Sequence, residues 1–343
     1  MSRPTAAPEV GPAARTVGIE IDGAAVVGGA KLRLRGWVKA PVRAAEASGI
    51  VLYCLAGGGC STRYFDTQVP RWSGYSMADF FVSRGGVVVA VDHPGIGRSD
   101  PVDDLYSLTP TVVAGCHERV AARVRAGLES GALVPGYPPV AVRSFVGVGH
   151  SMGGLLAVVQ QARHRSFDAL ALLGHGSGLP DQLSPAELAV SGSGLDGVEA
   201  TIEGLARQRF DRATRGPRRP LARGAFFTDS VPQAVRADFA AQGVPLLYTC
   251  GLTSMIPGVT AAERAVIDVP TFFGFGDHDL IDDYVDCIAQ FRSLRDISMY
   301  VLADSGHCHN QASGRHVLWQ RMQEWAAAVA PGPGDGPSTE TLS

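Results

Sequence analysis

The chain is 343 residues long, 45% hydrophobic and 18% charged, which allows a sizeable core and excludes intrinsic disorder for its bulk. A formal net charge of -3 gives no electrostatic reason to expect nucleic acid or an anionic membrane as a partner. The length suits one large α/β domain with an insertion, or two domains.

The cysteines Cys54, Cys60, Cys116, Cys250, Cys287 and Cys308 lack C-x-x-C spacing and read as reduced thiols. The N-terminal stretch MSRPTAAPEVGPAAR has no apolar signal-peptide core, and no run of about 18 apolar residues occurs. A soluble, cytoplasmic protein with no membrane span is therefore expected. Residues 1–15 and the tail 331–343 (PGPGDGPSTETLS) read as disordered ends.

In chain order, Thr16–Ile21 and Leu32–Val38 alternate apolar and polar residues around a glycine-rich turn, predicting an antiparallel hairpin at a sheet edge. Ile50–Leu55 is a continuous apolar run, the pattern of a strand covered on both faces, and it leads into Gly57-Gly58-Gly59. Successive glycines there let backbone N–H groups converge on an oxyanion, although alone they read as an ordinary flexible turn. A serine-capped helix follows at Ser76–Arg84, then a buried strand Val87–Val91, the glycine-punctuated turn Asp92–Asp100 and a long helix Pro110–Glu129. The run from Val142 to Gly149 is a strand, Met152–Arg163 an apolar-faced helix and Ala169–Leu173 another central strand.

From Leu179 to Asp268 the alternation lapses into helical pieces at Pro185–Val190, Val198–Arg209 and Pro232–Ala241, read as an inserted, largely helical cap. Alternation resumes with strand Thr271–Phe275, helix Asp282–Leu294, strand Ile297–Leu302 and a final helix near Arg315–Val329. The fold class is α/β, a mainly parallel, doubly wound sheet. Its parts are a core in two segments, 16–178 and 269–330, with the cap at 179–268 between them.

Chemistry concentrates at Gly149-x-Ser151-x-Gly153, where a strand stops and a helix starts. This spacing matches a nucleophile elbow, whose sharp turn exposes the serine hydroxyl above the sheet. A serine needs a base and a group that orients the base. Two later strands end in suitable loops: Asp277-His278-Asp279 after Thr271–Phe275, and Ser305-Gly306-His307-Cys308-His309 after Ile297–Leu302.

Taken together, the glycine loop, the Gly95–Asp100 turn, GHSMGG at Gly149–Gly154, GDHD at Gly276–Asp279 and SGH at Ser305–His307 resemble the α/β-hydrolase superfamily over residues 16–330. The resemblance implies Ser151 as nucleophile, Asp279 rather than Asp277 as acid, and His307 rather than His309 as base. It implies oxyanion donors in the N–H groups of Met152 and Gly58, although Ala56 stands where many relatives carry the histidine of an HG pair. An acid one strand earlier has no candidate in Gly174–Gly178.

Gly59, Cys60, His150, Phe226, Met255 and His309 are the expected substrate-side residues, with His150 also packing at the elbow and His309 also positioning its loop. His93 and Arg98 are expected to brace the turn at Asp92–Asp100. The Arg-rich segment 207–223 reads either as an anion-recognising element or as a solvated cap loop. No metal site and no cofactor are expected, because His307-Cys308-His309 lacks the usual structural ligand spacings.

The function expected is hydrolysis of a carboxylic ester, or a lactone, of a small or medium apolar acyl substrate. The alternatives are a thioesterase or acyltransferase working on coenzyme A or carrier-bound acyl groups, and a non-catalytic binding protein on the same scaffold. Monomer and homodimer are both compatible with the sequence.

Overall fold

The computed structural model describes residues 14–211, 224–281 and 284–332. The expected disordered ends, but for residues 14, 15, 331 and 332, and most of the Arg-rich segment lie outside the described residues. β1 (Ala14–Val27) and β2 (Ala30–Pro41) form the predicted antiparallel hairpin, longer than the alternation suggested. Strand and helix then alternate: β3 (Ile50–Leu55), α1 (Met77–Val82), β4 (Val87–Val91), α2 (Pro110–Ser130), β5 (Ser144–His150), α3 (Met152–His164) and β6 (Ala169–Leu173). Only helices follow among the described residues up to β7: α4 (Pro185–Leu188), α5 (Gly194–Glu199), α6 (Ile202–Phe210), α7 (Gln233–Ala241), α8 (Tyr248–Thr253) and α9 (Ala261–Ala265). The chain closes with β7 (Thr271–Gly276), α10 (Tyr284–Ala289), β8 (Ile297–Leu302) and α11 (Arg315–Val329).

All eight strands share one sheet in the order β1-β2-β4-β3-β5-β6-β7-β8. β2 runs antiparallel to both its neighbours, and every other pairing is parallel. Because β4 lies on one side of β3 and β5 on the other, the winding reverses there. The crevice beyond the C-terminal ends of β3 and β5 is thus where an open sheet of this kind takes a ligand.

The period of two in a strand explains how β3 serves two cores. Val51, Tyr53 and Leu55 pack with Val120 of α2 and Leu156 of α3, while Leu52 and Cys54 pack with Phe81 of α1 and Trp319 of α11. Each such buried side chain contributes about 1.5–3 kcal/mol. A third cluster joins Leu195, Val198, Ile202 and Leu252 to Leu155 and Val159 of α3, seating the helices between β6 and β7 on the sheet's own helical layer.

Two expected helices differ from the sequence reading. Val198–Arg209 is broken: Thr201 leaves the helical region at φ -125°, ψ -12°, and its hydroxyl donates to the Val198 carbonyl at 3.2 Å. That local bond competes with the ladder and separates α5 from α6. The helix expected over 282–294 is described only as α10, Tyr284–Ala289, its first two residues lying outside the described set. The short helices α8 and α9 were not foreseen. No helix among the described residues is long and apolar enough to cross a membrane.

Candidate active site

β5 delivers the chain to Ser151, whose backbone sits at φ 55°, ψ -120°. Few non-glycine residues hold a positive φ, and holding one costs about 1–3 kcal/mol unless the surroundings enforce it. Here they do: the Ser151 N–H donates to the Leu173 carbonyl of β6 at 2.8 Å, and the Gly154 N–H to the Ser151 carbonyl at 2.8 Å. The flanking glycines are required by space. A Cβ on Gly149 would lie 2.4 Å from the Gly153 carbonyl oxygen, and one on Gly153 would lie 2.1 Å from that of Leu55.

The histidine comes from the loop after β8. Its position is fixed by backbone pairing with residues beyond the sheet, since the N–H groups of His307 and Cys308 donate to the Ala225 and Phe226 carbonyls at 2.7 and 3.1 Å. His150 Nε2 donates to the His307 carbonyl at 2.8 Å, and its ring stacks on Tyr64 at 4.3 Å. Burial, with the nearby His307 and His309 rings, holds His150 well below the ordinary histidine value, so it stays neutral.

These anchors place His307 Nε2 2.7 Å from Ser151 Oγ and His307 Nδ1 2.6 Å from Asp279 Oδ1. The Asp279 carboxylate also accepts from the Leu280 N–H at 2.6 Å and from His309 Nε2 at 2.8 Å. Burial pushes the Asp279 carboxyl up, but the His307 and His309 imidazoles outweigh it and hold the group well below the usual carboxylate range. An ionised carboxylate only accepts, so Nδ1 of His307 carries the proton and Nε2 offers its lone pair to the serine hydroxyl. Asp277 faces elsewhere: its two oxygens accept from the Asp304 and Ser305 N–H groups, each at 3.0 Å, and tie together the loops after β7 and β8.

The chain belongs to the α/β hydrolase family. A family profile described as "Alpha/beta hydrolase family" matches residues 52–320, well over half the sequence. No curated protein matches it. Among solved structures, this α/β hydrolase is similar to a thermophilic esterase from Thermogutta terrifontis at 14% identity and TM-score 0.57, over 91% of this chain and 100% of that one. It is similar also to a proline iminopeptidase-related protein from Thermus thermophilus at 18% identity and TM-score 0.58, over 92% and 99% of the two chains. The epoxide hydrolase CorEH matches at 14% identity and TM-score 0.53, over 91% and 99%. At these identities the likeness is one of fold.

In this α/β hydrolase a cavity of about 560 Å³ opens at Ser151 and His307. Gly58 and Met152 line it, and among the described residues neither N–H finds an acceptor. Gly59, Cys60, His150, Phe226 and Met255 also lie on its wall. His309 does not: it is fully buried behind Asp279, so its expected contact with substrate is replaced by its bond to the carboxylate.

Sequence reasoning missed Phe210, Phe239, Leu246, Gln182 and Arg209 on the cavity wall. They come from the helical stretch between β6 and β7, and no motif marks them. Cys60 and Cys308 both line the cavity as free thiols, and burial pushes Cys60 up to about 12 and Cys308 well above the ordinary thiol value, so neither is a thiolate near neutral pH. Among the described residues no set of His, Cys, Asp and Glu side chains is grouped to hold a metal ion.

The described arginines of the 207–223 segment are engaged within the protein. Arg207 pairs with Glu203 and Asp104, and Arg209 Nη1 meets Glu187 Oε2 at 2.8 Å in a nearly buried pair.

Proposed function

We propose that the protein is a serine hydrolase cleaving a carboxylic ester, lactones included, of a small or medium apolar substrate through an acyl-enzyme. The observation that carries this reading is the line of two hydrogen bonds, 2.7 Å from Ser151 to His307 and 2.6 Å from His307 to Asp279, opening on a cavity. In this reading the Ser151 oxygen attacks the acyl carbon while its proton passes to His307 Nε2, and Asp279 stabilises the imidazolium. The carbonyl electron pair becomes an oxyanion facing the Gly58 and Met152 N–H groups, at the N-terminus of α3. Collapse releases the alcohol with the proton from His307, and water repeats the sequence to free the acid.

The wall supports the substrate class. Phe210, Phe226, Phe239 and Leu246 make it largely apolar, no Asp or Glu lines it among the described residues, and the charge of Arg209 is answered by Glu187. A neutral acyl group suits such a wall better than a cationic or anionic one. Residues 179–268 act as the cap that supplies most of it. Epoxide opening is disfavoured, because on this fold it takes an aspartate at the elbow, where this chain has Ser151.

A fluorophosphonate probe should label the wild type and leave Ser151→Ala unlabelled. A panel of p-nitrophenyl esters of increasing chain length, aryl esters, lactones and acyl thioesters then ranks substrates. Faster turnover of matched thioesters would replace the esterase reading with a thioesterase. A folded wild type that neither labels nor turns over would make the protein a binder on a hydrolase scaffold.

A further inference from the structure

Beside β3, away from the Ser151–His307–Asp279 line, three buried polar side chains form a chain of their own. Tyr53 of β3, His93 after β4 and His117 of α2 are at most 1% exposed. Tyr53 Oη lies 2.9 Å from His117 Nδ1, His117 Nε2 lies 2.8 Å from His93 Nδ1, and His93 Nε2 lies 3.0 Å from the Ala56 carbonyl oxygen. Burial lowers both imidazoles from their ordinary value, most strongly at His117, so both are neutral.

Only one proton arrangement satisfies every atom. The Ala56 carbonyl can only accept, so His93 Nε2 donates to it. A neutral His93 then offers a lone pair at Nδ1, which takes the proton of His117 Nε2. His117 Nδ1 in turn accepts from the Tyr53 hydroxyl. Three bonds run in one direction and end on a single backbone carbonyl, each polarising the next.

That carbonyl belongs to the residue immediately before Gly57-Gly58-Gly59. A planar trans peptide has its N–H opposite its C=O, so anchoring the Ala56 oxygen fixes the first peptide plane of the loop. The next plane is fixed from the other side, where the Cys60 N–H donates to the Gly57 carbonyl at 3.1 Å and so aims the Gly58 N–H the opposite way. The far end of the loop is held by the neighbour of His93, since Asp92 Oδ1 accepts from the Thr62 N–H at 2.8 Å and its Oδ2 from the Arg98 N–H at 3.0 Å. Residues 92 and 93 thus hold the peptide before Gly57 and the Thr62 N–H beyond the glycines, while the Val244 N–H donates to the Gly59 carbonyl at 3.0 Å.

We propose that His93, oriented by His117 and Tyr53, is a positioning residue that holds the glycine loop so that the Gly58 N–H faces the oxyanion of the acyl-transfer step. The proposal rests on the hydrolase reading above. Its effect is confined to the transition state: a loop that swings freely still admits substrate but no longer meets the charge that develops at the carbonyl oxygen.

The test uses the full chain and its best p-nitrophenyl ester. It adds a trifluoromethyl ketone carrying the same acyl group, which Ser151 converts to a hemiketal whose oxygen takes up the carbonyl electron pair while the serine proton moves to His307. Replacing the donor by His93→Leu is expected to lower kcat by about 10²-fold, the effect of losing one oxyanion donor, with little change in KM. The ketone's inhibition constant should rise in parallel. His93→Gln, whose amide N–H reaches a similar point, should recover most of both. Tyr53→Phe, which keeps the ring and removes only the far donor, should lower kcat less than His93→Leu and leave KM unchanged, and it decides the matter if His93→Leu does not fold. Equal kcat in wild type, His93→Leu and Tyr53→Phe would overturn the proposal, as would a loss that tracks thermal stability alone or one that His93→Gln does not relieve. Absence of any Ser151-dependent turnover in the wild type would instead remove the hydrolase reading on which it stands.

Discussion

His309 Nε2 lies 2.8 Å from Oδ2 of Asp279, donating to the oxygen opposite the one held by His307 at 2.6 Å. Both imidazoles therefore grip one carboxylate whose side chain is wholly buried. A buried carboxylate that loses a donor keeps its desolvation penalty without the bond that offset it. His309→Leu is expected to lower stability by about 1.5–3 kcal/mol, the range for hydrogen bonds to charged groups, and His309→Gln by less, because an amide N–H remains within reach. Urea unfolding at neutral pH reads the difference. A leucine variant as stable as wild type would show the bond to be idle.

Gly153 sits in the first turn of α3, where helix propensity alone favours alanine over glycine by about 1 kcal/mol. Space decides the other way, because an added Cβ would lie 2.1 Å from the Leu55 carbonyl oxygen and 2.7 Å from that of Ala56. Both atoms are backbone, at the end of β3, so neither can turn aside. Gly153→Ala is expected to destabilise by at least about 3 kcal/mol, at the upper end of overpacking effects, and to abolish activity by shifting the elbow. A thermal melt unchanged from wild type would contradict the close approach of α3 and β3.

Much of this arrangement was legible because its signals are local. Ile50–Leu55, Val87–Val91 and Ala169–Leu173 are covered on both faces, so their buried state shows as unbroken apolar runs, and every residue of the three strands is indeed buried. Ser151 and Asp279 follow the fully buried strands β5 and β7, and His307 follows β8, an edge strand exposed at Ile297 and Met299. Tertiary features left no comparable trace. The wall residues Phe210, Phe239 and Leu246 depend on how helices outside the sheet are turned, and the Tyr53–His117–His93 chain joins three positions with no common period. The split at Thr201, where both its N–H and its hydroxyl donate to the Val198 carbonyl, is a local bonding choice that propensity does not register.

Acid stability should follow the histidines. Burial, the leading cause in each case, lowers the pKa of His93, His117, His150 and His175 from the ordinary value of 6.5. In the unfolded chain each takes up its proton as pH falls through about 6.5, while in the folded protein each stays neutral to a lower pH. The unfolded state then binds more protons, so stability is fully present above about pH 6.5 and declines as pH drops toward the folded pKa values. Each imbalance in proton uptake contributes a slope of up to about 1.4 kcal/mol per pH unit. The low pKa of Asp279 acts in the same direction, but only below the ordinary carboxyl value of 3.8. Melts between pH 8 and 5 should show a plateau and then a fall starting near 6.5, and His175→Gln, which cannot titrate, should make that fall shallower. A flat profile down to pH 5 would mean that these imidazoles are accessible to protons in the folded state.

The serine's backbone carries a separable effect. Ser151→Ala and Ser151→Gly both remove the hydroxyl and its 2.7 Å bond to His307, but only glycine also removes the Cβ from a residue held at φ 55°. Relief of that conformation is worth about 1–3 kcal/mol, against which glycine's greater freedom in the unfolded chain costs about 0.5–1 kcal/mol. Ser151→Gly is therefore expected to be more stable than Ser151→Ala by about 1 kcal/mol, with both variants inactive. The comparison by urea unfolding isolates the strain because the lost hydrogen bond is common to the two. If alanine proves equal to glycine, the elbow stores no strain at this residue, and exposure of the hydroxyl has to be credited to the contacts of Gly149 and Gly153 alone.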